Sequence, residues 1–221
     1  MKKLISFLVI IALSVGIVIG AHNIFDNDVD GHFTARNAKL PENLMLVNAW
    51  NEIDEDYEFE TVTLTNGEII NELIYPDLQS MFNDARNSGI DPVVTSGYRT
   101  LDKQQQLYDD KVNAYIDEGY SRDEAEEKAN EWVALPGYSE HHTGLAVDIN
   151  AREGASEEVY KWLEKNCHKY GFILRYPADK TEITGINYEP WHFRYVGYEA
   201  AEYIYEHGIT LEEYLENVYE Q

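Results

Sequence analysis

An uncharged apolar run from Leu4 to Ala21 constrains this chain most, because it separates a short leader from everything that must fold. An apolar helix of about 18 to 20 residues is near the minimum that crosses a bilayer. Lys2 and Lys3 precede the run and should stay in the cytoplasm, which would place the following residues outside the cell. We therefore interpret residues 1–21 as a single-pass membrane anchor. A signal peptide cleaved at Val18-Ile19-Gly20 is the alternative.

The remainder of the chain is strongly acidic. The sequence of 221 residues contains 17 Lys and Arg against 41 Asp and Glu, for a net charge of −24. This balance excludes a nucleic-acid partner, because binding phosphate requires a basic face. The hydrophobic content of 44% with 13% aromatic residues is sufficient for a packed core, which argues against disorder. Cys167 is the single cysteine, so an intramolecular disulfide framework and a cysteine-rich zinc finger are both excluded.

The pattern of predicted elements indicates one α+β domain. Residues 22–39 are polar without periodicity and are predicted to be a solvated linker, and residues 40–221 are predicted to form the domain. Strands and helices are mixed without a strict βαβ alternation, which favours one sheet with helices packed around it. Strands are predicted near residues 61–64, 68–73, 91–96, 144–149 and 172–176, and helices near 76–89, 100–116, 121–133, 156–170, 198–206 and 211–219.

Two short segments concentrate side chains that bind metals. The first spans residues 139–148 and reads SEHHTGLAVD, and the second spans residues 189–192 and reads EPWH. Imidazole nitrogens and carboxylate oxygens are standard zinc ligands, and three protein ligands with one open position define a catalytic site. Gly144, Ala146 and Asp148 are predicted to share one face of a strand, where small side chains leave room for metal and substrate. A single histidine is more often a surface or hydrogen-bonded residue than a metal ligand. The prediction therefore rests on the combination of histidines and carboxylates in these two segments.

The same residues resemble a known family. The pattern S-x-H-x-x-G-x-A-x-D followed by E-x-W-H resembles the LAS metallopeptidases, the group of lysostaphin, D-Ala-D-Ala peptidases and hedgehog domains. The similarity is greatest to VanY-type D,D-carboxypeptidases. It rests on SGYR at residues 96–99, YGFILRYP at residues 170–177 and YEPWHFRYVG at residues 188–197. The resemblance covers residues from about 40 to about 215 and implies a hedgehog-like domain with a central antiparallel sheet flanked by helices.

The resemblance implies a role for each matching position. It implies one zinc ion held by His141, Asp148 and His192, with Glu189 as the catalytic base. His142 falls at a variable position, and adjacent side chains of an extended chain point in opposite directions, so it is not expected to bind the metal.

Three further positions match residues that contact the substrate. Arg99 matches the arginine that acts at the terminal carboxylate or at the scissile carbonyl, and Gln104 and Ser139 match further substrate-contacting positions. A surface salt bridge is the alternative interpretation of Arg99, but its place at a Gly-Tyr turn after a predicted core strand favours function.

The function that the resemblance implies is a zinc D,D-carboxypeptidase at the outer surface of the cell membrane. Its partners would be peptidoglycan stem peptides that end in D-Ala, together with the membrane that holds the leader. An L,D-carboxypeptidase that trims tetrapeptide stems is the nearest alternative, since the same fold and zinc site serve both reactions. A cell-wall-binding domain without catalysis is a further alternative, which would be expected to lack a ligand or the base.

Overall fold

A central four-stranded antiparallel sheet organises the protein. The computed structural model describes residues 25–27, 33–35 and 37–219. The strands within these ranges are β1 (Phe25–Asn27), β2 (Phe33–Ala35), β3 (Thr61–Thr63), β4 (Ile69–Asn71), β5 (Pro92–Ser96), β6 (Ala146–Ala151), β7 (Phe172–Leu174) and β8 (His192–Tyr195). The central sheet has the order β5-β6-β8-β7, while β1 pairs with β2 and β3 pairs with β4. Every one of these pairings is antiparallel, which confirms the predicted α+β domain.

Helices cover the sheet and extend from it. They are α1 (Tyr75–Asn87), α2 (Leu101–Asp117), α3 (Arg122–Asn130), α4 (Glu157–Asn166), α5 (Thr181–Thr184), α6 (Tyr198–His207) and α7 (Leu211–Tyr214). The ends of the helices follow the sequence signals closely. Pro76 lies in the first turn of α1, and Ser121 and Glu124 form the predicted capping box of α3. The hairpin predicted around Asn66 and Gly67 is formed by β3 and β4.

The two faces of the central sheet have different chemistry. Side chains alternate along a strand, so Val147 and Ile149 of β6 lie on one face with Phe193 of β8. That face packs against α1 and α4 and forms the main hydrophobic core. The opposite face receives Asp148 and His192, both of them buried. The sheet therefore separates an apolar core from a face that carries polar side chains.

Gly144 does not lie on the strand face where it was predicted. Strand β6 begins at Ala146, and Gly144 ends a short 3₁₀ turn, Glu140–Thr143, with a φ of 66°. This left-handed conformation favours glycine. A Cβ atom at Gly144 would also lie 2.8 Å from the backbone nitrogen of Asn71. Gly144 therefore permits a tight turn, and only Ala146 and Asp148 share the strand face.

The segment predicted to be a linker contains ordered strands. Strands β1 and β2 pair within residues 22–39, and the side chain of Phe33 is buried in the cluster formed with α6 and α7. Asn51 fixes β2, because its Oδ1 accepts from the backbone nitrogen of Ala35 at 2.6 Å and its Nδ2 donates to the carbonyl of Phe33 at 3.0 Å. β2 therefore docks on the domain through the buried side chain of Phe33 and its hydrogen bonds with Asn51, although it lies in the segment predicted to be a linker.

The predicted membrane anchor, residues 1–21, lies outside the described residues. Among the residues that the structure does describe, no helix combines the length and the hydropathy required to cross a membrane.

Candidate active site

Strand register brings two of the three predicted metal ligands together. Asp148 of β6 and His192 of β8 are direct partners in the antiparallel pair. The Oδ1 of Asp148 lies 3.1 Å from the Nδ1 of His192 and 3.4 Å from the Nε2 of His141. His141 approaches from the Glu140–Thr143 turn, and its ring is perpendicular to that of His192, with 4.9 Å between the centroids. One donor atom from each of these three residues lies within 4.8 Å of the others.

The ring of His141 is oriented by the backbone of the SGYR segment. Its Nδ1 lies 2.7 Å from the carbonyl oxygen of Gly97, which leaves Nε2 facing Asp148. Gly97 is required at this point, because a Cβ atom there would lie 2.1 Å from the carbonyl oxygen of Ile69. A ring nitrogen that donates to a carbonyl carries the proton of the neutral imidazole. The other ring nitrogen then has the lone pair that can bind a metal. Although Asp148 acts in the opposite direction, burial lowers the pKa of His141 to about 4, which keeps the imidazole neutral.

His192 is oriented by a buried carboxylate. Its Nε2 lies 3.4 Å from the Oε2 of Glu140, and its Nδ1 faces Asp148. Burial acts to lower the pKa of His192, but hydrogen bonds with Asp148 and Glu140 outweigh it and raise the pKa to about 9.

The three groups fit a zinc ion. They offer two imidazole nitrogens and one carboxylate oxygen, and each imidazole has a hydrogen-bond partner on its opposite nitrogen. His141, Asp148 and His192 would hold the metal, and the side of the cluster that faces the cleft would stay open for substrate.

Glu189 lies beside this cluster in the position expected of a base. Its Oε2 is 3.7 Å from the Nδ1 of His192, and its backbone is held by a hydrogen bond to the carbonyl of Tyr176. Burial raises the pKa of Glu189 to about 7, with Asp148 adding to the shift and His192 opposing it. A carboxylate with a pKa near neutrality can both accept and return a proton at physiological pH.

Arg99 contacts the cluster directly. Its Nη2 donates to the Oδ2 of Asp148 at 2.6 Å, and its Nε donates to the hydroxyl of Ser96 at 2.8 Å. Gln104 is buried behind it, accepting from the Nη1 of Arg99 at 3.4 Å and donating to the carbonyl of Ala134 at 2.7 Å. Gln104 therefore supports the guanidinium of Arg99 from within the protein.

His142 is held away from the metal ligands, as predicted, but for a different reason. The chain is not extended here, since both histidines belong to the Glu140–Thr143 turn. The Nδ1 of His142 lies 2.7 Å from the carbonyl oxygen of Arg99, and its Nε2 accepts from the backbone nitrogen of Gly137 at 3.1 Å. Both ring nitrogens are therefore used to fix the two loops that border the site.

A cleft of about 580 Å³ opens over these residues. All seven predicted site residues line it, namely Arg99, Gln104, Ser139, His141, Asp148, Glu189 and His192. The outer part of the cleft is formed by the C-terminal half of α2, by the segment after α3 and by Trp191, and it includes Lys111 and Trp132. The structure thus gathers side chains from three separate sequence segments into one cavity, while their individual roles remain predictions.

Sequence reasoning missed several buried residues next to the site. Glu140, Arg175 and Arg194 form ion pairs behind His192, and the ring of Tyr176 lies 4.8 Å from the ring of His192. The sequence offered one signal that could have found them, which is that they lie within the segments SEHH, YGFILRYP and WHFRY. What identifies them is burial, because Glu140 and Arg175 each have 1% of their surface exposed and Arg194 has none.

Comparison with known proteins connects this geometry to a family. The family described as VanY, D-alanyl-D-alanine carboxypeptidase, matches residues 67–198. A D-alanyl-D-alanine carboxypeptidase of Enterococcus faecalis (strain ATCC 700802 / V583) is 53% identical over 174 residues. That match covers 78% of this chain and 65% of the relative, just under two thirds of its length.

Two solved structures are similar in fold as well as in sequence. A mutant of the vancomycin resistance D,D-pentapeptidase VanY, crystallised with Zn(II), is 52% identical with a TM-score of 0.77, covering 79% of this chain and 99% of that chain. VanYB in complex with D-alanine-D-alanine is 52% identical with a TM-score of 0.79, covering 80% of this chain and 99% of that chain. From the shared sequence, the shared fold and the three converging metal ligands, this chain belongs to the VanY family of D-alanyl-D-alanine carboxypeptidases.

Proposed function

We propose that this protein is a zinc-dependent D,D-carboxypeptidase that removes the terminal D-Ala from peptidoglycan stem pentapeptides. The observation that carries the proposal is the cluster of His141, Asp148 and His192 with Glu189 beside it, all lining one cleft. Relatives support it, because one is named a D-alanyl-D-alanine carboxypeptidase and another was solved with D-alanine-D-alanine.

Glu189 would carry the proton transfers of the reaction. Zinc, when bound, supplies a Lewis acid that polarises a peptide carbonyl and acidifies water. Glu189 would take a proton from the attacking water and deliver it to the departing amine of D-Ala, since its Oε2 lies close to a metal-binding nitrogen. The buried position that raises its pKa to about 7 suits a group that must hold and then release a proton.

Arg99 would bind the peptide and keep Asp148 in place. One of its nitrogens already holds the Oδ2 of Asp148, so that oxygen is kept away from the metal-binding side. The rest of the guanidinium borders the cleft and can contact the scissile carbonyl or the terminal carboxylate. A contact with the carboxylate would restrict cleavage to the last peptide bond. Ser139 and Gln104 complete the same wall of the cleft.

We also propose that the enzyme acts outside the cell, held by its N-terminal segment. The support comes from the sequence, in which two lysines precede an apolar run long enough to span a bilayer.

Defined muropeptides would test the activity. The full-length protein in detergent would be incubated with a pentapeptide stem ending in D-Ala-D-Ala, the corresponding tetrapeptide and a pentapeptide amidated at its C-terminus. We expect mass spectrometry to show loss of one alanine from the pentapeptide with a free C-terminus and no loss from the tetrapeptide. A zinc chelator should inhibit the reaction, and added zinc should reverse the inhibition. The amidated peptide should react more slowly if Arg99 binds the terminal carboxylate.

The other outcomes separate the alternatives. Cleavage of the tetrapeptide alone would establish an L,D-carboxypeptidase and overturn the proposed specificity. Binding of both peptides without cleavage, in a protein that holds stoichiometric zinc, would establish a wall-binding domain instead of an enzyme.

A further inference from the structure

A closed network of four charged side chains lies behind the candidate zinc site and has no part in the proposed chemistry. Glu140, Arg175, Arg194 and Glu212 are each at most 3% exposed. Arg175 connects the two acids, donating through Nε to Glu140 at 2.8 Å and through Nη2 and Nη1 to Glu212 at 2.6 and 3.0 Å. Arg194 donates through Nη1 to Glu140 at 2.9 Å. Two positive charges thus balance two negative charges in the interior of the protein.

Glu140 is the point where this network reaches a metal ligand. Both arginines bind its Oε1, which leaves Oε2 directed at the Nε2 of His192, 3.4 Å away. Arg194 cannot easily shift, because its Nη2 also donates to the carbonyl of Met45 at 2.7 Å. The carboxylate of Glu140 is therefore held from one side and presents its free oxygen to the imidazole.

We propose that Glu140 is a positioning residue, which keeps the proton of His192 on Nε2 so that the lone pair of Nδ1 points into the cleft. The proposal rests on the proposed zinc site. A carboxylate that accepts from the distal nitrogen of a metal-binding histidine fixes the tautomer and the orientation of the ring. The two arginines fix the carboxylate in turn, so the rigidity of the buried network is passed to the metal ligand.

Replacing Glu140 with glutamine should reverse the direction of this hydrogen bond. The two arginines require an acceptor, so the amide oxygen of Glu140→Gln takes the place of Oε1. The amide nitrogen then faces the Nε2 of His192 as a donor. Nε2 becomes the acceptor, the proton moves to Nδ1, and the lone pair that would hold the metal is lost.

Glu212 offers a matched control within the same network. Glu212→Gln removes an equal charge from a similarly buried position and leaves Arg175 with one carboxylate partner, Glu140, just as Glu140→Gln leaves it with Glu212. Among the described residues, the side chain of Glu212 hydrogen-bonds Arg175 and Asn48 and forms no hydrogen bond with His192 or Glu140. A general loss of stability should therefore appear in both variants, whereas a change at His192 should appear only in Glu140→Gln.

The test is the zinc affinity of the full-length protein, measured by competition with a chromophoric chelator. We expect Glu140→Gln to bind zinc about 10- to 100-fold more weakly than the wild type. Glu212→Gln should stay within about threefold, and denaturant unfolding of the metal-free proteins should show similar destabilisation of both. Equal zinc affinity in Glu140→Gln and Glu212→Gln would overturn the proposal. Failure of the wild type itself to bind zinc would instead contradict the proposed function.

A second measurement uses the wild type and does not depend on whether a variant folds. In zinc-loaded protein labelled with ¹⁵N-histidine, the Nε2 proton of His192 should resist exchange with solvent, because Glu140 accepts it in a buried position. The ring protons of His207, which is exposed, serve as the reference. A His192 whose Nε2 is unprotonated, or whose proton exchanges as fast as those of His207, would contradict the assigned role of Glu140.

Discussion

Two buried clusters of charged side chains share one face of the central sheet and behave differently. In the network around Arg175, each carboxylate has a guanidinium partner, and Arg175 and Arg194 hold the pKa of Glu140 well below its usual range although burial opposes them. In the cluster around Asp148, one carboxylate oxygen binds Arg99 and the other faces two imidazoles. The network supplies its own positive charge, while the cluster presents converging donors to a cleft. Of the two, the cluster around Asp148 is the arrangement that is suited to bind a metal ion.

The difference shows how similar residues acquire separate roles. Burial of an ion pair is costly, and a closed arrangement of opposite charges is what offsets that cost inside a protein. The network meets this condition, because its own arginines and glutamates balance one another. The cluster lies at the edge of the cleft, where Glu189 has 9% of its surface exposed, and this opening lets substrate reach it.

The largest expected effect comes from removing a metal ligand. Asp148→Ala should abolish zinc binding and reduce peptidase activity to background, because the ligand and the partner of Arg99 are lost together. Metal analysis and a D-Ala release assay would measure the effect. Asp110→Ala is the matched control, since Asp110 is an exposed acid that lines the same cleft outside the cluster. Retention of stoichiometric zinc by Asp148→Ala would remove Asp148 from the ligand set.

A smaller effect is expected when the base alone is changed. Glu189→Gln should lower kcat by about 10²- to 10⁴-fold, the usual contribution of a general acid or base. Zinc content should be unchanged, because Glu189 stands beside the ligands rather than among them. Steady-state kinetics and metal analysis on the same preparation would measure both quantities. Loss of zinc in parallel with activity would show that Glu189 supports the metal and would contradict its role as the base.

Substitutions in the network around Arg175 should lower the free energy of unfolding more clearly than they change the catalytic activity. Arg175→Met leaves Glu140 and Glu212 buried with one guanidinium fewer, and truncating one partner of a buried ion pair costs about 3 to 5 kcal/mol of unfolding free energy. Denaturant unfolding of the metal-free protein would measure it.

An exposed ion pair provides the comparison for that measurement and the smallest expected effect. Lys161 and Glu157 are one turn apart on α4, with 2.7 Å between their charged atoms, and both side chains are exposed. Glu157→Gln should leave the unfolding free energy unchanged within experimental error, because solvent screens such pairs. Equal destabilisation by Glu157→Gln and Arg175→Met would contradict the distinction drawn between surface and buried pairs.

Local signals in the sequence were sufficient for most elements of the fold. The turn at Asn66-Gly67, the capping box at Ser121 and the proline in the first turn of α1 each act over a few residues, so their elements could be predicted. Gly144 was misplaced because a strand pattern cannot show that the chain must turn against Asn71 before β6 begins. Phe33 was overlooked because the surface it packs on is formed by distant helices.

By itself, the sequence indicated the α+β class and two metal-binding segments, because side-chain chemistry and short spacings are properties of neighbouring residues. The candidate ligands and the candidate base followed from the resemblance of those segments to a known family. Only the tertiary structure decided that Asp148 and His192 are cross-strand partners and that Arg99 reaches Asp148. It also decided that Glu140, a carboxylate next to His141 in the sequence, contacts His192 of β8. Strand register and burial set these distances, and both arise from contacts between residues that are far apart in the chain.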